Sequence, residues 1–173
     1  TLVNDLLLSA KLETAYEPHL ESTDLAKLVR DIIQKLRDKY PKVAFSIRED
    51  NHIPSIEADK LGLTSVILNL LENAVKYTPD QAKIDVVLDR EDDIVSLSVA
   101  DNGIGISDRD KRQIFEKFYR VGNEDTRRTK GTGLGLFIVK EIVKTHKGQI
   151  SVLDNQPKGT ICKIQLPSSK KAG

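Results

Sequence analysis

Two clusters of closely spaced glycines mark places where the backbone of this chain can approach a ligand. Residues 101–105 (DNGIG) follow a predicted strand, and residues 131–135 (GTGLG) open a predicted helix. Glycine permits close backbone approach, and a helix N-terminus presents unpaired N–H groups to phosphate. Both clusters together are typical of a nucleotide site, whereas one Gly-x-Gly alone is more often a plain turn.

The two most common nucleotide-binding motifs are missing from the sequence. No stretch has the Walker spacing of Gly, four residues and then Gly-Lys-Ser or Gly-Lys-Thr. The dinucleotide fingerprint needs a third glycine, but Asp108 occupies that position after the first cluster and Ile138 after the second. The two usual nucleotide folds are therefore excluded.

One face of a predicted helix carries groups suited to a phosphate-bound cation. Asn69, Asn73, Lys76 and Tyr77 are spaced i, i+4, i+7 and i+8, which places them on one side of a helix. Amide and phosphate oxygens suit Mg²⁺, with Asn73 as its protein ligand and Lys76 against phosphate. Taken alone, the same stripe also fits a merely solvated helix face.

The elements that position these residues follow from hydrophobic periodicity. Helices are predicted near residues 2–12, 24–39, 59–77 and 132–146, with a short helical piece at 108–115. Extended segments are predicted at 43–48, 52–58, 84–89, 94–100, 149–153 and 159–166, and residues 14–23 are a linker or a short edge strand. The consecutive strands predict hairpins at 84–100 and 149–166, and hence a mixed sheet covered by helices on one face.

Composition sets the class of protein. The chain has 173 residues, 39% of them hydrophobic, which suits one core, and its net charge of +1 argues against a dedicated nucleic-acid binder. No apolar run approaches the roughly 18 residues of a membrane span. The lone Cys162 cannot form an internal disulfide, and its strand-like setting indicates an inert thiol.

Taken in order, four segments resemble the conserved boxes of sensor histidine kinases. They are residues 69–78 (NLLENAVKYT) for the N box, 101–105 (DNGIG) and 131–136 (GTGLGL) for the glycine boxes, and 115–118 (FEKF) for the F box. The resemblance covers about residues 20–166 and implies the Bergerat-type ATP-binding fold. That fold is an α/β two-layer sandwich with a mixed sheet of about five strands covered by three helices.

The start of the chain is similar to the end of the dimerisation hairpin that precedes this domain in the family. The chain begins at Thr1 within an apolar helical pattern, so we expect that it has been cut from a longer protein. The implied organisation is a helix stump at 1–15, a catalytic ATP-binding domain at 16–167 and a disordered tail at 168–173.

The resemblance also implies roles for individual residues. Asp101 would accept a hydrogen bond from the adenine amino group, and an ionised carboxylate, being acceptor-only, suits that role. Asn73 would hold Mg²⁺, and Asn69, Asn73 and Lys76 would be catalytic. The residues implied to contact ATP are Asn73, Lys76, Tyr77, Asp101, Gly103, Gly105, Ile106, Phe118, Lys130, Gly131, Thr132, Gly133, Leu134, Gly135 and Leu136.

The segment 116–130 resembles the lid that closes over ATP in the family. It contains Lys117, Arg120, Arg127, Arg128 and Lys130, several of which are expected to meet phosphates, although a solvated charge run also fits Arg127 and Arg128. Phe115 and Phe118 either dock the lid or belong to the core.

Asn69 separates the kinases from the ATPases that share the fold. In the ATPases a glutamate one turn before the magnesium-binding Asn activates water, and Asn69 stands at that position here. An amide has no useful basicity at neutral pH, so we expect slow hydrolysis and an external phosphoryl acceptor. Glu72 points about 100° away from the face of Asn73, and we interpret it either as structural or as a support for the residues that contact the ligand.

No histidine of the chain matches the family's phosphoacceptor, since none of His19, His52 and His146 is followed by an acidic residue and a nearby proline in the family pattern. We assign these three to surface or helix-end roles. The implied partners are a phosphoacceptor histidine domain of the same protein, a response regulator and a second copy joined through the missing hairpin. The given piece would be monomeric and would bind no nucleic acid.

The implied setting is the soluble cytoplasmic portion of a membrane-anchored bacterial sensor. The alternative functions are a conformational ATPase of the same superfamily and a degenerate nucleotide-sensing module.

Overall fold

A computed structural model describes residues 2–14, 16–79, 81–121 and 131–168 of the chain. Its helices are α1 (Leu2–Thr14), α2 (Leu25–Lys39), α3 (Lys60–Lys76), α4 (Asp108–Lys111) and α5 (Gly135–Thr145). Its strands are β1 (Glu21–Thr23), β2 (Ala44–Glu49), β3 (Ile56–Ala58), β4 (Lys83–Glu91), β5 (Ile94–Asp101), β6 (Gln149–Asp154) and β7 (Thr160–Pro167). Within these ranges, none of the helices combines the length and the apolar character that a bilayer crossing requires.

Five of the strands form one mixed sheet in the order β2-β4-β5-β7-β6. β2 runs parallel to β4, and the other neighbouring pairs are antiparallel. The two predicted hairpins are confirmed as β4–β5 and β6–β7. The segment before α2 is indeed a short strand, because β1 pairs with β3 in a separate two-stranded sheet.

Helices α2, α3 and α5 pack on one face of this sheet. Burial alternates along β4 and so distinguishes the covered face of the sheet from the exposed face. Ile84, Val86 and Leu88 are buried, whereas Lys83 and Asp85 are exposed. The helices contribute apolar stripes to the same core, namely Leu25, Val29, Ile32, Ile33 and Leu36 of α2, Leu63, Ile67, Leu70 and Leu71 of α3, and Ile138, Val139, Ile142 and Val143 of α5. Burial of each such side chain contributes roughly 1.5–3 kcal/mol relative to exposure. The predicted two-layer α/β sandwich is confirmed.

Side-chain caps set the starts of two of these helices. The carboxylate of Asp24 accepts a hydrogen bond from the N–H of Lys27 at 2.9 Å, and α2 follows. The carboxylate of Asp59 accepts one from the N–H of Gly62 at 3.0 Å, and α3 follows. Each cap satisfies an N–H group that the helix itself cannot bond.

Helix α5 differs from its predicted bounds. It begins at Gly135 rather than near Thr132, because Gly133 has φ +72°, which interrupts a right-handed helix. At its other end the left-handed residue is Lys147 (φ +57°) rather than Gly148. Gly148 is required instead for close packing, since a Cβ there would contact the carbonyl of Gln165.

Three smaller predictions are also corrected. The helical piece predicted at 108–115 is only the four residues of α4, and of the extended segment predicted at 52–58 only β3 is a strand. Ser168 is not part of a disordered tail, because it is buried and its N–H donates to the carbonyl of Asp93 at 2.7 Å. Residues 169–173 lie outside the described residues.

A buried histidine connects the end of α5 to the start of α3. The N–H of Asp59 donates to Nε2 of His146 at 2.9 Å, so Nε2 carries no proton. Nδ1 therefore bears the proton and donates to the carbonyl of Ile142 at 2.7 Å. His146 is 7% exposed. The predicted helix-end role of this residue is confirmed, and a surface role is not.

Replacement of His146 by alanine should lower the free energy of unfolding by roughly 1–3 kcal/mol, because the N–H of Asp59 loses its acceptor in a buried setting. Urea denaturation at neutral pH measures the change. The matched control is His52→Ala, since His52 is exposed and its removal should leave stability within about 0.5 kcal/mol. Equal stabilities of the two variants would contradict the linking role.

Candidate functional site

A cleft lies between α3, the loop after β5 and the glycine loop that precedes α5. Its polar end is lined by Asn69, Asn73, Lys76 and residues 131–133. Its apolar end is lined by Leu70, Ala74, Val99, Asp101, Ile104, Gly105 and Ile106. Asn73, Tyr77 and Leu136 line both ends, so the two ends form one continuous space.

The predicted stripe on α3 does converge on this cleft. The Nδ2 group of Asn69 donates to the carbonyl of Ser65 at 2.9 Å, which leaves Oδ1 turned toward the start of α5. A Cβ at Gly135 would lie 2.6 Å from that oxygen. The close approach of α3 to the second glycine cluster therefore needs glycine at position 135.

Lys76 is held at the polar end of the cleft by its neighbour. Its Nζ lies 4.9 Å from the centre of the Tyr77 ring, within the range of a cation–π interaction. A Cβ at Gly131 would collide with this ammonium group. The cation thus sits directly beside the backbone of the glycine loop.

The glycine loop itself is shaped by backbone hydrogen bonds. The carbonyl of Gly133 accepts from the N–H of Phe118 at 3.0 Å, and Thr132 Oγ1 accepts from the N–H of Leu134 at 3.2 Å. The side chain of Leu134 is fully buried in the core, so this residue anchors the loop. The N-terminus of α5 then begins at the cleft, where its unpaired N–H groups and dipole favour an anion.

Asp101 stands at the end of β5 and is only 8% exposed. Its Oδ1 accepts hydrogen bonds from the N–H groups of Gly103 at 2.8 Å and Thr160 at 3.2 Å. Burial raises the pKa of this carboxyl group, and the two N–H groups only partly oppose the shift. Within the described ranges Oδ2 has no hydrogen-bond partner, so it is an acceptor directed to the apolar end.

Close packing explains the first glycine cluster. A Cβ at Gly103 would collide with the carbonyl of Tyr77 and lie 2.8 Å from Oδ1 of Asp101. The N–H of Ile104 donates to the same Tyr77 carbonyl at 3.2 Å. Gly105 has φ +77°, a conformation that favours glycine. This cluster therefore joins the end of α3 to the end of β5.

Three predicted site residues among those that the structure describes do not line the cleft: Gly103 and Leu134, which pack behind it, and Phe118. Phe118 is 60% exposed and lies outside both ends of the cleft, whereas the next residue, Tyr119, lines both. Phe118 has φ +61°, which accompanies its backbone contact with Gly133. It is therefore not a core residue, and Phe115 is half-buried.

The cations of the predicted lid divide into three groups. Lys117 is engaged elsewhere, since its Nζ pairs with Glu13 at 2.6 Å and lies 4.9 Å from the ring centre of Phe137. Arg120 lines both ends of the cleft. Arg127, Arg128 and Lys130 lie outside the described residues.

Several lining residues were not found from the sequence. Thr160 and Cys162 reach the apolar end because β7 pairs with β5, which places Cys162 opposite Val99. Burial raises the pKa of the Cys162 thiol to about 12, with a smaller contribution from the Asp101 carboxylate. The thiol thus stays protonated at neutral pH, in agreement with its predicted inertness. At the polar end, Asp5 of α1 was also missed, and Glu72, which the sequence predicts to point away from the face of Asn73, lines the cleft as well.

Comparison with known proteins identifies the class. The family described as histidine kinase-, DNA gyrase B-, and HSP90-like ATPase matches residues 58–170. Sensor protein CiaH of Streptococcus pneumoniae is 47% identical over 121 residues, which are 68% of this chain and 27% of CiaH.

Two solved structures share the fold. Full-length ShkA in complex with AMPPNP has a TM-score of 0.84 and 29% identity, covering 96% of this chain and 35% of that one. Histidine kinase ThkA in complex with the response regulator protein TrrA has a TM-score of 0.77 and 26% identity, covering 96% of this chain and 48% of that one.

The fold, the cleft and the family match all indicate the same protein family. The chain belongs to the histidine kinase-, DNA gyrase B-, and HSP90-like ATPase family. Within that family, the resemblance to the ATP-binding domain of sensor histidine kinases is confirmed by these relatives. The chain spans about a quarter of the length of the curated relatives that it matches first.

The buried carboxylate of Asp101 should lower the stability of the folded chain at neutral pH. Its pKa is raised from the ordinary 3.8, so this cost is absent below that value and grows as the pH rises through the higher, folded-state pKa. Asp101→Asn retains an Oδ1 acceptor for Gly103 and Thr160 and removes the charge. We expect a higher melting temperature than wild type at pH 7, and a gain that disappears near pH 3; a lower melting temperature at pH 7 would contradict the argument.

Proposed function

We propose that the cleft binds ATP, with adenine at the apolar end and the triphosphate at the polar end. We further propose that the chain is the catalytic domain of a sensor histidine kinase, which transfers the γ-phosphoryl group to a histidine on a separate dimerisation segment. One observation carries the proposal. A buried carboxylate, Asp101, lies at the apolar end of the same cleft whose polar end is a glycine loop and a helix N-terminus.

Asp101 accounts for the choice of base. An ionised carboxylate only accepts hydrogen bonds, so it favours the amino group of adenine over the keto group of guanine. A keto oxygen facing Oδ2 would leave two buried acceptors unpaired, which costs affinity. The flanking Leu70, Ala74 and Ile106 supply the apolar surface for a planar base.

The polar end is suited to hold the triphosphate. The N-terminus of α5 and the backbone of residues 131–133 provide N–H groups, and Lys76 adds a positive charge. Their joint role is to align the γ-phosphoryl group and to offset its negative charge, which is most of what phosphoryl transfer requires.

The donor set fits a magnesium ion that is shared with the nucleotide. Among the described residues no group of three or more His, Cys, Asp and Glu can hold a metal, so these residues alone offer no closed cage. The Oδ1 of Asn73 would be the hard ligand at the polar end, and phosphate oxygens would supply others. When bound, Mg²⁺ supplies positive charge that neutralises the phosphate oxygens.

Asn69 supports a kinase over an ATPase. Its amide is fixed by the carbonyl of Ser65 and has no basicity with which to activate water. The nearby Glu72 is paired with Lys39 at 2.6 Å, which agrees with a structural role. The γ-phosphoryl group is therefore retained until an aligned external nucleophile arrives.

The same proposal includes the partners. The acceptor would be a histidine on the dimerisation hairpin of the longer protein, of which α1 is one end, and the phosphoryl group would pass to a response regulator. ThkA, which shares the fold, is known in complex with such a protein. Val3 and Leu7 of α1 are 63% and 66% exposed, which supports packing of this helix in a hairpin dimer. A membrane-anchored sensor with this domain on its cytoplasmic side remains part of the proposal.

Replacement of Asp101 by asparagine should weaken ATP binding at least about tenfold, because an amide N–H would face the adenine amino group donor to donor. Calorimetric titration with ATP and Mg²⁺ gives the affinity. The control is Asp108→Asn, which removes an 87% exposed carboxylate on α4 outside the cleft. Unchanged ATP affinity of Asp101→Asn would sink the adenine assignment.

Phosphoryl transfer is tested with a separately prepared dimerisation segment that bears an acceptor histidine. With radiolabelled ATP we expect labelled segment and only slow release of phosphate in its absence. Asn73→Ala should reduce the transfer rate at least about a hundredfold, because the metal loses its protein ligand. Rapid steady hydrolysis without the segment would indicate a conformational ATPase instead. Bound ATP without any transfer would indicate a regulatory module.

A further inference from the structure

Helix α1 contributes one residue to the polar end of the cleft. Asp5 lines it together with Asn69, Asn73 and Lys76. This carboxylate is half-buried and makes no hydrogen bond or ion pair with any residue in the described ranges. The other carboxylate there, Glu72, is neutralised by Lys39. Asp5 therefore brings a negative charge, without an ion-pair partner among the described residues, to the place where the triphosphate would lie.

The position of Asp5 is set by the docking of α1 on the rest of the domain. Ser9 and Leu12 are only 2% and 9% exposed, so this face of α1 is buried against the domain. Glu13 pairs with Lys117 at 2.6 Å. Just after the helix, the hydroxyl of Tyr16 donates to Oδ2 of Asp59 at 2.8 Å. These contacts hold the helix along the cleft rather than away from it.

We propose that Asp5 is a specificity-determining residue that makes the cleft select metal-bound over metal-free nucleotide. This inference rests on the proposed function, since it requires ATP in the cleft. Metal-free ATP carries about four negative charges at neutral pH and its magnesium complex about two, so a nearby carboxylate repels the free form more strongly. Partial burial of the site limits screening of this repulsion by salt.

A purely local role for Asp5 makes a different prediction. Asp5 stands in the first turn of α1, where a carboxylate stabilises the helix dipole. That role concerns the helix alone and is indifferent to the metal content of the nucleotide. The ratio of two affinities therefore separates the two roles, because any general effect of the substitution on folding cancels in it.

The test is calorimetric titration of the 173-residue chain with ATP, once with excess Mg²⁺ and once with EDTA. For Asp5→Asn we expect the ratio of the metal-free to the metal-bound Kd to fall about three- to tenfold, mainly through tighter binding of metal-free ATP. Asp5→Lys should lower the ratio further. The control is Asp31→Asn, which removes a helical carboxylate from α2 and should leave the ratio unchanged.

The outcomes distinguish this inference from the function on which it rests. If the wild-type chain binds ATP under neither condition, the proposed function fails. If the wild-type chain binds ATP and Asp5→Asn leaves the ratio unchanged, or shifts both affinities equally, the role of Asp5 is overturned and the proposed function stands. A ratio that falls in the order Asp, Asn, Lys supports the selection of metal-bound nucleotide.

Discussion

The junction at Asp101 is the constraint on which the cleft depends. Its Oδ1 accepts N–H groups from Gly103 and Thr160, and its backbone carbonyl accepts Nδ2 of Asn155 at 2.7 Å. One residue thus joins the end of β5, the loop after it and the β6–β7 turn. Gly159 is needed beside it, because a Cβ there would collide with the same carbonyl. The molecule keeps a charged group where folding alone would favour a neutral one, as expected where stability is exchanged for function.

Much of this arrangement could be predicted from the sequence because its signals are local. The spacing of Asn69, Asn73 and Lys76 puts them on one helix face whatever the tertiary structure, and their convergence on the cleft follows from the buried opposite face of α3. The two glycine clusters are likewise visible in the sequence, although the contacts that require Gly103 and Gly135 come from the distant helix α3. The β4–β5 and β6–β7 hairpins need only strand alternation and short turns.

What could not be predicted depends on contacts between distant segments. Thr160 and Cys162 reach the cleft through the pairing of β7 with β5. The sequences of the two strands do not indicate that they are neighbours in the sheet. Tyr119 lines the cleft where Phe118 was predicted to, and Phe118 has a left-handed backbone conformation. The residue types around Phe118 do not indicate that conformation. From the sequence pattern, Asp5 is only a carboxylate in the first turn of a helix, because its place in the cleft depends on how α1 packs on the domain. Each case is a tertiary effect that overrides a local pattern.

The bond from Tyr16 to Asp59 lies just beyond the end of α1 and fixes the chain to the cap of α3. Along α1, Asp5 lies about 13 Å from Thr14, at 1.5 Å per residue. Between these two residues Ser9 and Leu12 are buried and Glu13 pairs with Lys117, so the helix is fixed along its length as well as at its end. The carboxylate of Asp5 is thereby kept at the polar end of the cleft.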